Sequence, residues 1–287
     1  MAASLVVNGT NSIFAQGSIS SIIASQLTNG TDPAHGNFYK SQGHFVNNTV
    51  AGHLLICMVN TWVYANLGGA YVPVLGPPTT PGFTWLLAGV IVSDTQGISD
   101  ASAQGGMGYA TIGTAIYYIL NAPLMPHTAL TTQTTTFSGT WLYNSPGAHD
   151  DDLKSGFELT EWSGVPATDA VRVVTNKGLS IAPSAGAITT TGADLLLVAS
   201  NMTGNMVANS TGVGFSGLDD LANSNTDFNN PIVADLICQY KLNISSGIYS
   251  TAFSASDLSG VWSAVAIAFS SKQATPIFSP PSGTCGV

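Results

Sequence analysis

The sequence predicts an all-β protein: an antiparallel β-sandwich or jelly roll built from two pseudo-repeated halves, preceded by an extended N-terminal arm. Short runs rich in β-branched and aromatic residues alternate with Gly, Pro, Asn and Asp, which is typical of strands separated by turns. A polar, Thr-rich lead-in followed by Gly and an apolar run of strand length occurs twice, as NNTVAGHLLICMV (Asn47–Val59) and ITTTGADLLLVAS (Ile188–Ser200). This echo predicts that one set of strands is present in two copies.

The individual elements follow from the apolar runs. Amphipathic helical periodicity is scarce in this sequence. The one short helix that we expect covers Ser18–Leu27. Many short strands joined by loops favour a sandwich or jelly roll. The predicted strands are Leu54–Trp62, Trp85–Val92, Thr114–Leu120, Leu130–Phe137, Phe157–Trp162, Leu195–Ser200, Ile232–Leu242, Ile248–Phe253 and Trp262–Phe269.

The motifs of the two halves occur in the same order, and the spacing between equivalent residues shrinks along the chain. Such a shrinking offset indicates an old duplication with longer loops in the first half. Either the halves are two separate sandwiches, or each half supplies strands to both sheets of one larger sandwich. We favour the second, because each half has only four or five predicted strands and no linker is evident over 166–188. The equivalent pairs are Leu54 and Leu195, 141 positions apart, Phe83 and Phe215, 132 apart, and Asn121 and Asn243, 122 apart.

The ends of the chain differ from the middle. Residues 1–46 are polar, have no counterpart in the repeat and are expected to form an N-terminal arm, whereas residues 47–272 form the duplicated sandwich domain. Residues 273–287, with three prolines, are expected to form a C-terminal tail. Arms of this kind contribute little to the domain that carries them and often lie on a neighbouring subunit.

Charge limits the partners. Charged residues make up 7% of the chain, against about 25% in an average globular protein. With a net charge of −9 and only six Lys plus Arg, the chain lacks the clustered cations that phosphate binding needs, so we expect neither a nucleic-acid nor a membrane partner. The N-terminal segment lacks the basic start of a signal peptide, which predicts synthesis in a cytoplasm.

Three cysteines and an acidic run are the candidate sites for disulfide formation and metal binding. Cys57 and Cys238 lie in apolar runs and are expected to be buried thiols, whereas Cys285 in the tail is a candidate for an intermolecular disulfide. The carboxylates of Asp150, Asp151 and Asp152 are candidate calcium ligands. Consecutive side chains of an extended segment point in alternating directions, however, so a solvated acidic loop is the favoured interpretation and no metal site is predicted.

No catalytic residue or cofactor is predicted. Nucleophile-elbow, phosphate-loop and dinucleotide motifs are absent from the sequence. Glu158 and Glu161 could serve a glycosidase as a pair, but a spacing of three places them on opposite faces of a strand. Trp62 and Trp141 lie near predicted loops and are candidates for stacking on sugar rings, whereas Trp162 and Trp262 lie in predicted strands and are expected in the core.

Short motifs, taken in order, resemble a family of phage and bacterial β-sandwich proteins, mostly of unassigned function. The resemblance covers about Asn47–Lys272 and departs from the family pattern in the long loop 65–81 and the N-terminal arm. It implies a concanavalin-like or jelly-roll sandwich and a phage virion protein, and it supplies no catalytic residues. The motifs are GHLLI (Gly52–Ile56), TPGFT (Thr80–Thr84), IYYILN (Ile116–Asn121), EWSGV (Glu161–Val165), GADLLLV (Gly192–Val198) and WSAVAIAFSSK (Trp262–Lys272).

These observations favour a non-enzymatic structural protein of a tailed-phage virion, in capsid decoration or in the tail. It would act as an oligomer through contacts with copies of itself and with other virion proteins. The alternative is a glycan- or receptor-binding module on the virion surface, with a host glycan as ligand. A glycan-cleaving enzyme ranks lowest, because it would need carboxylates converging from distant segments.

Overall fold

The structure is a computed structural model of the 287-residue chain. It describes residues 4–5, 23–24, 38–43, 45, 47–65, 71–94, 96–99, 107–126, 130–138, 152–166, 170–203, 211–218, 221–223, 234–254 and 260–270. The described residues form strands and turns, with no helix among them.

Sixteen strands are assigned in chain order. They are β1 (Ser4–Leu5), β2 (Ile23–Ala24), β3 (Phe38–Gly43), β4 (Leu54–Ala65), β5 (Tyr71–Leu75), β6 (Leu86–Val92), β7 (Gln96–Ser99), β8 (Met107–Ile119), β9 (Leu130–Ser138), β10 (Asp152–Ser163), β11 (Ala170–Ser180), β12 (Ala187–Thr203), β13 (Ser216–Gly217), β14 (Leu221–Asn223), β15 (Ala234–Ser250) and β16 (Gly260–Ser270).

The strands form three antiparallel sheets. The first sheet has the order β1-β10-β4-β8-β6, with β7 also paired to β8. The second sheet has the order β11-β16-β12-β15-β13, with β14 also paired to β15, and the third sheet is β2-β3-β9-β5. From β3 to β6 the chain alternates between the third and first sheets, an exchange typical of jelly rolls.

The predicted repeat corresponds to the first and second sheets, which share one strand order position for position. The pairing register is also shared. Leu55 of β4 lies opposite Ile119 of β8, and the equivalent Leu196 of β12 lies opposite Lys241 of β15. The two halves of the sequence therefore fold into sheets of the same design.

Both halves also bend at the same place. Asn121 and Asn243, which the sequence aligns, have φ angles of 49° and 52°. Asn tolerates this left-handed conformation better than most residues, because its short polar side chain can hydrogen-bond to the local backbone and offset the steric cost. In the second half the ladder between β12 and β15 continues past the bend, with Ala193 opposite Ile244.

The first sheet is the middle layer, because β4 is buried on both faces. Leu54, Ile56 and Met58 of β4 pack against the second sheet in one apolar cluster, which also contains Leu197 and Phe269. The alternate residues Leu55, Cys57 and Val59 belong to a separate cluster on the opposite face. That cluster includes Leu75 at the end of β5 in the third sheet. Side chains alternate between faces along a strand, so one continuous apolar run fills two cores.

The favoured arrangement, in which each half supplies strands to both sheets of one sandwich, is wrong. Strands β11 to β16 of the second half all join the second sheet, and strands β1 to β10 form the other two. The alternative of two separate sandwiches is wrong as well, because the two halves share one apolar core. The physical reason is that a strand without a polar face needs a partner sheet on each side.

The strand predictions are confirmed for β4, β6, β8, β9, β10, β12, β15 and β16, whereas β1, β2, β3, β5, β7, β11, β13 and β14 were missed. The separate strand Ile248–Phe253 is wrong, because β15 runs without a break to Ser250 and residues 251–253 leave the ladder. In the predicted helix Ser18–Leu27, the described Ile23–Ala24 is a strand. The described segments of the N-terminal arm therefore pair within the chain's own sheets.

Replacing Asn121 by Ala should destabilise the fold by about 1 kcal/mol, because Ala has a steric penalty in the left-handed region. Asn121→Gly is the matched control and should cost less than about 0.5 kcal/mol, since Gly adopts this conformation freely. Urea unfolding followed by tryptophan fluorescence measures both. Equal losses in the two variants would show that the Asn side chain, and not the backbone conformation, stabilises the bend.

Candidate functional site

The predicted sugar-binding tryptophans remain predictions. Trp62 lies inside the paired part of β4, opposite Ile112 and Lys154, and its side chain is outside the described structure. Trp141 is outside the described residues altogether. The expected core tryptophans are confirmed, since Trp162 and Trp262 are buried.

The acidic run gives no described metal site. Asp150 and Asp151 lie outside the described residues, and Asp152 is described only as the first backbone position of β10. In the described part of the chain, no group of three or more His, Cys, Asp and Glu residues could hold a metal ion.

Two of the three cysteines are buried thiols, as predicted. Cys57 and Cys238 are free and buried, and Cys285 lies outside the described residues. Burial raises the pKa of Cys57 well above its usual value, and the neighbouring Glu158 carboxylate raises it further. Burial is also the first cause of the rise in the pKa of Tyr117 to about 12, with Cys57 as the second. These groups are therefore held in their neutral forms.

Glu158 and Glu161 face opposite sides of β10, as predicted. Glu161 alternates with Phe157 and Leu159 toward the cluster on the third-sheet side, whereas Glu158 shares its face with Trp162 toward the second sheet. Both carboxylates are 2% exposed. Two buried carboxylates on opposite faces of one sheet cannot act together on a single glycosidic bond.

Glu161 instead fixes the chain just before β4. Its Oε1 accepts hydrogen bonds from the backbone N–H of Val50, at 2.8 Å, and from Nδ1 of His53, at 2.7 Å. The backbone of His53 in turn accepts from Ala122 beside the Asn121 bend. No local sequence pattern signals this contact, because 108 residues separate the two side chains. The arrangement stabilises a turn and offers no open site for a substrate.

The edge strand β6 of the first sheet carries exposed apolar side chains. Leu86 and Leu87 are each 50% exposed and Val90 is 42% exposed. We call these three side chains the β6 surface. The register places Leu87 and Val90 on one face of the sheet and Leu86 on the other. Scattered exposed apolar residues are ordinary, but three within five positions make this edge apolar on both faces, where another protein surface can cover it.

Two glycines position β6. Gly82, with φ 81°, closes the turn before the strand, in which the N–H of Phe83 bonds to the carbonyl of Thr80. Gly89 lies against the second sheet, where a Cβ would come within 2.8 Å of Val173 Cγ1 and 3.1 Å of Val265 Cγ1. The close approach therefore requires Gly, and it brings β6 next to β11, the edge strand of the second sheet.

Both adjacent edges resist uncontrolled strand pairing. Within the described structure β6 pairs only with β8 and β11 only with β16. The β6–β8 register shifts at a bulge between Leu87 and Gly89. β11 carries Arg172 and Lys177, and Lys177 forms an exposed ion pair with Asp94 just beyond β6. Bulges and edge cations both hinder the addition of a foreign strand.

Other exposed apolar residues lie outside β6. Among them, Val213, 96% exposed, sits in a turn, and Ile248, 73% exposed, lies near the end of β15. Among the residues the structure describes, no helix has the length and apolar character to span a membrane.

No protein-family model, curated protein or solved structure matches this chain. The resemblance to phage and bacterial β-sandwich proteins therefore depends on the sequence motifs alone.

The hydrogen bonds to Glu161 are expected to contribute to the free energy of unfolding. Glu161→Leu should lower the free energy of unfolding by about 2–3 kcal/mol, because the N–H of Val50 and the imidazole of His53 lose a charged acceptor. Glu161→Gln keeps an oxygen at the same place and should cost only about 1 kcal/mol. Urea unfolding compares them. A loss for Glu161→Gln as large as that for Glu161→Leu would contradict the hydrogen-bonding role of the oxygen.

Proposed function

We propose that the protein is a non-enzymatic structural component of a tailed-phage virion, in capsid decoration or in the tail, that acts through contacts with copies of itself and with other virion proteins. The observation that carries the proposal is the β6 surface, an exposed apolar edge in a chain with 7% charged residues. The sequence resemblance to phage sandwich proteins supplies the virion context.

Side-chain burial would provide the affinity. Covering apolar surface contributes about 25 cal/mol for each Å² removed from water, which is about 1.5–3 kcal/mol for a fully buried Leu. A surrounding surface rich in Ser, Thr and Asn costs little side-chain entropy on contact, because these side chains have few rotatable bonds compared with Lys or Glu. Such a surface suits permanent packing against many neighbours.

The edge features define the kind of contact. Because a bulge interrupts β6 and cations lie on β11, we expect the partner to cover the side chains of Leu86, Leu87 and Val90 without extending the sheet. The burial of Glu158 and Glu161 on opposite faces supports a non-enzymatic role, since they are the two carboxylates that the sequence offered for glycoside chemistry.

Particle association tests the proposal directly. Antibodies raised against the purified chain should label phage particles from the source culture in negative-stain electron microscopy, and the chain should co-sediment with those particles through a density gradient. The control is the same gradient loaded with purified chain but no particles. An antigen that stays entirely in the soluble fraction of a lysate containing mature particles would contradict a virion role.

The β6 surface is tested by self-association. Leu87→Ser should weaken the association of the purified chain about threefold to tenfold in sedimentation velocity, because covering the exposed half of a Leu side chain contributes about half of the 1.5–3 kcal/mol for full burial. Val213→Ser is the control, since Val213 is the more exposed but lies in a turn away from the β6 edge. Equal effects of the two substitutions, or a wild-type chain that stays monomeric at all concentrations, would contradict this contact.

A further inference from the structure

A fully buried polar group lies between the first and second sheets, at one end of their shared apolar core. Asn60 of β4 is 1% exposed, and Asn201 of β12, Thr114 of β8 and Ser263 of β16 are each 0% exposed. We call these four residues the polar quartet. Asn60 lies directly opposite Thr114 in the first sheet, and Asn201 lies directly opposite Ser263 in the second. Each sheet therefore contributes one adjacent pair.

The two asparagines occupy equivalent places in the repeat. Asn60 is the sixth residue after Leu54, and Asn201 is the sixth residue after Leu195. Both share a face with the leucines that pack between the sheets, since alternate residues of a strand point the same way. The repeat thus sets two amide side chains into one interface, one from each sheet.

Part of the quartet is bonded directly across the interface. Thr114 Oγ1 lies 2.7 Å from Ser263 Oγ and donates to the carbonyl of Ser263 at 3.0 Å. Asn201 Nδ2 donates to the carbonyls of Thr61, at 2.7 Å, and Gly113, at 3.3 Å. These bonds place the Asn201 amide against the β4 backbone at the residue that follows Asn60.

The remaining polar atoms lack a partner. Within the described structure, Asn60 Nδ2, Asn60 Oδ1 and Asn201 Oδ1 are buried and form no hydrogen bond. They comprise one donor and two acceptors. A buried polar atom without a partner loses its hydration and gains nothing in exchange, so such atoms in folded proteins are nearly always bonded to protein or to internal water.

We propose that Asn60 and Asn201 bind internal water between the first and second sheets. Water is the ligand that fits, because it both donates and accepts, so it can donate to the Asn201 oxygen and bond the Asn60 amide. The bound water completes a polar bridge that begins with the direct Thr114–Ser263 bond. This bridge gives the two sheets a specific alignment, since sliding one sheet over the other would separate the bonded groups.

Direct detection is the first test. A crystal structure at high resolution should show density about 2.7–3.0 Å from Asn201 Oδ1 and from an amide atom of Asn60. Deuteron relaxation dispersion of the wild-type chain in solution should report a long-lived internal water that is lost in Asn60→Val. Density at 2.3–2.6 Å would indicate a bound cation. That result, or an interface without density, would overturn the proposal.

The sign of a stability change is the second test. If water bridges the amides, Asn60→Val leaves the Asn201 oxygen without a partner, and the melting temperature should fall by about 3–6 °C. If no water is bound, the same substitution removes an unsatisfied amide from an apolar interface and should raise the melting temperature. Thr114→Val, which breaks only the direct bond, is the control and should lower it in either case.

A double-mutant cycle separates the bridge from independent effects. The side chains of Asn60 and Asn201 share no direct hydrogen bond. The double variant Asn60→Val/Asn201→Val should nevertheless lower the melting temperature by less than the sum of the two single losses. The reason is that the second substitution removes a water that the first has already displaced. Strict additivity of the two losses would overturn the shared water site.

Discussion

Burial of both faces of β4 is the constraint on which the rest of the structure depends. Its run from Leu54 to Val59 has no polar position, and the six side chains divide alternately between two apolar clusters. A strand of this kind is stable only as the centre of three layers. The second sheet covers one face and the third sheet the other, and the polar groups of the first sheet must find partners inside those layers.

The three layers explain where buried polar side chains lie in the first sheet. Glu161 faces the third-sheet side, and its Oε1 accepts two hydrogen bonds from the turn before β4. Asn60 faces the second sheet, as the equivalent Asn201 of the other half faces the first. Each face of the middle sheet thus carries one buried polar arrangement near an end of its apolar run. Satisfied polar groups at such places favour one alignment of the layers over the many that apolar contact alone would allow.

Local patterns predicted strands well and sheet membership poorly. Runs such as LLICMV indicate a strand, but they lack the alternation that would show which face meets a core, so the third layer was not predicted. β11 was missed because Arg172, Asn176 and Lys177 interrupt its apolar residues, as suits an edge strand. The His53–Glu161 contact and the bond from Asn201 to the carbonyl of Thr61 join segments more than 100 positions apart, and no local spacing encodes them. The repeat does align Asn201 with Asn60, the residue before Thr61.

Comparison of the halves separates what the fold requires from what it permits. The counterpart of β6 in the second sheet is the two-residue strand β13, which follows the aligned Phe215. Leu218, the residue that aligns with Leu86, is 5% exposed and belongs to the core between the sheets, whereas Leu86 is 50% exposed. One architecture can therefore bury an apolar residue at this place or leave it in solvent. The β6 surface is a property of the first half's own sequence, and the sheet arrangement does not impose it.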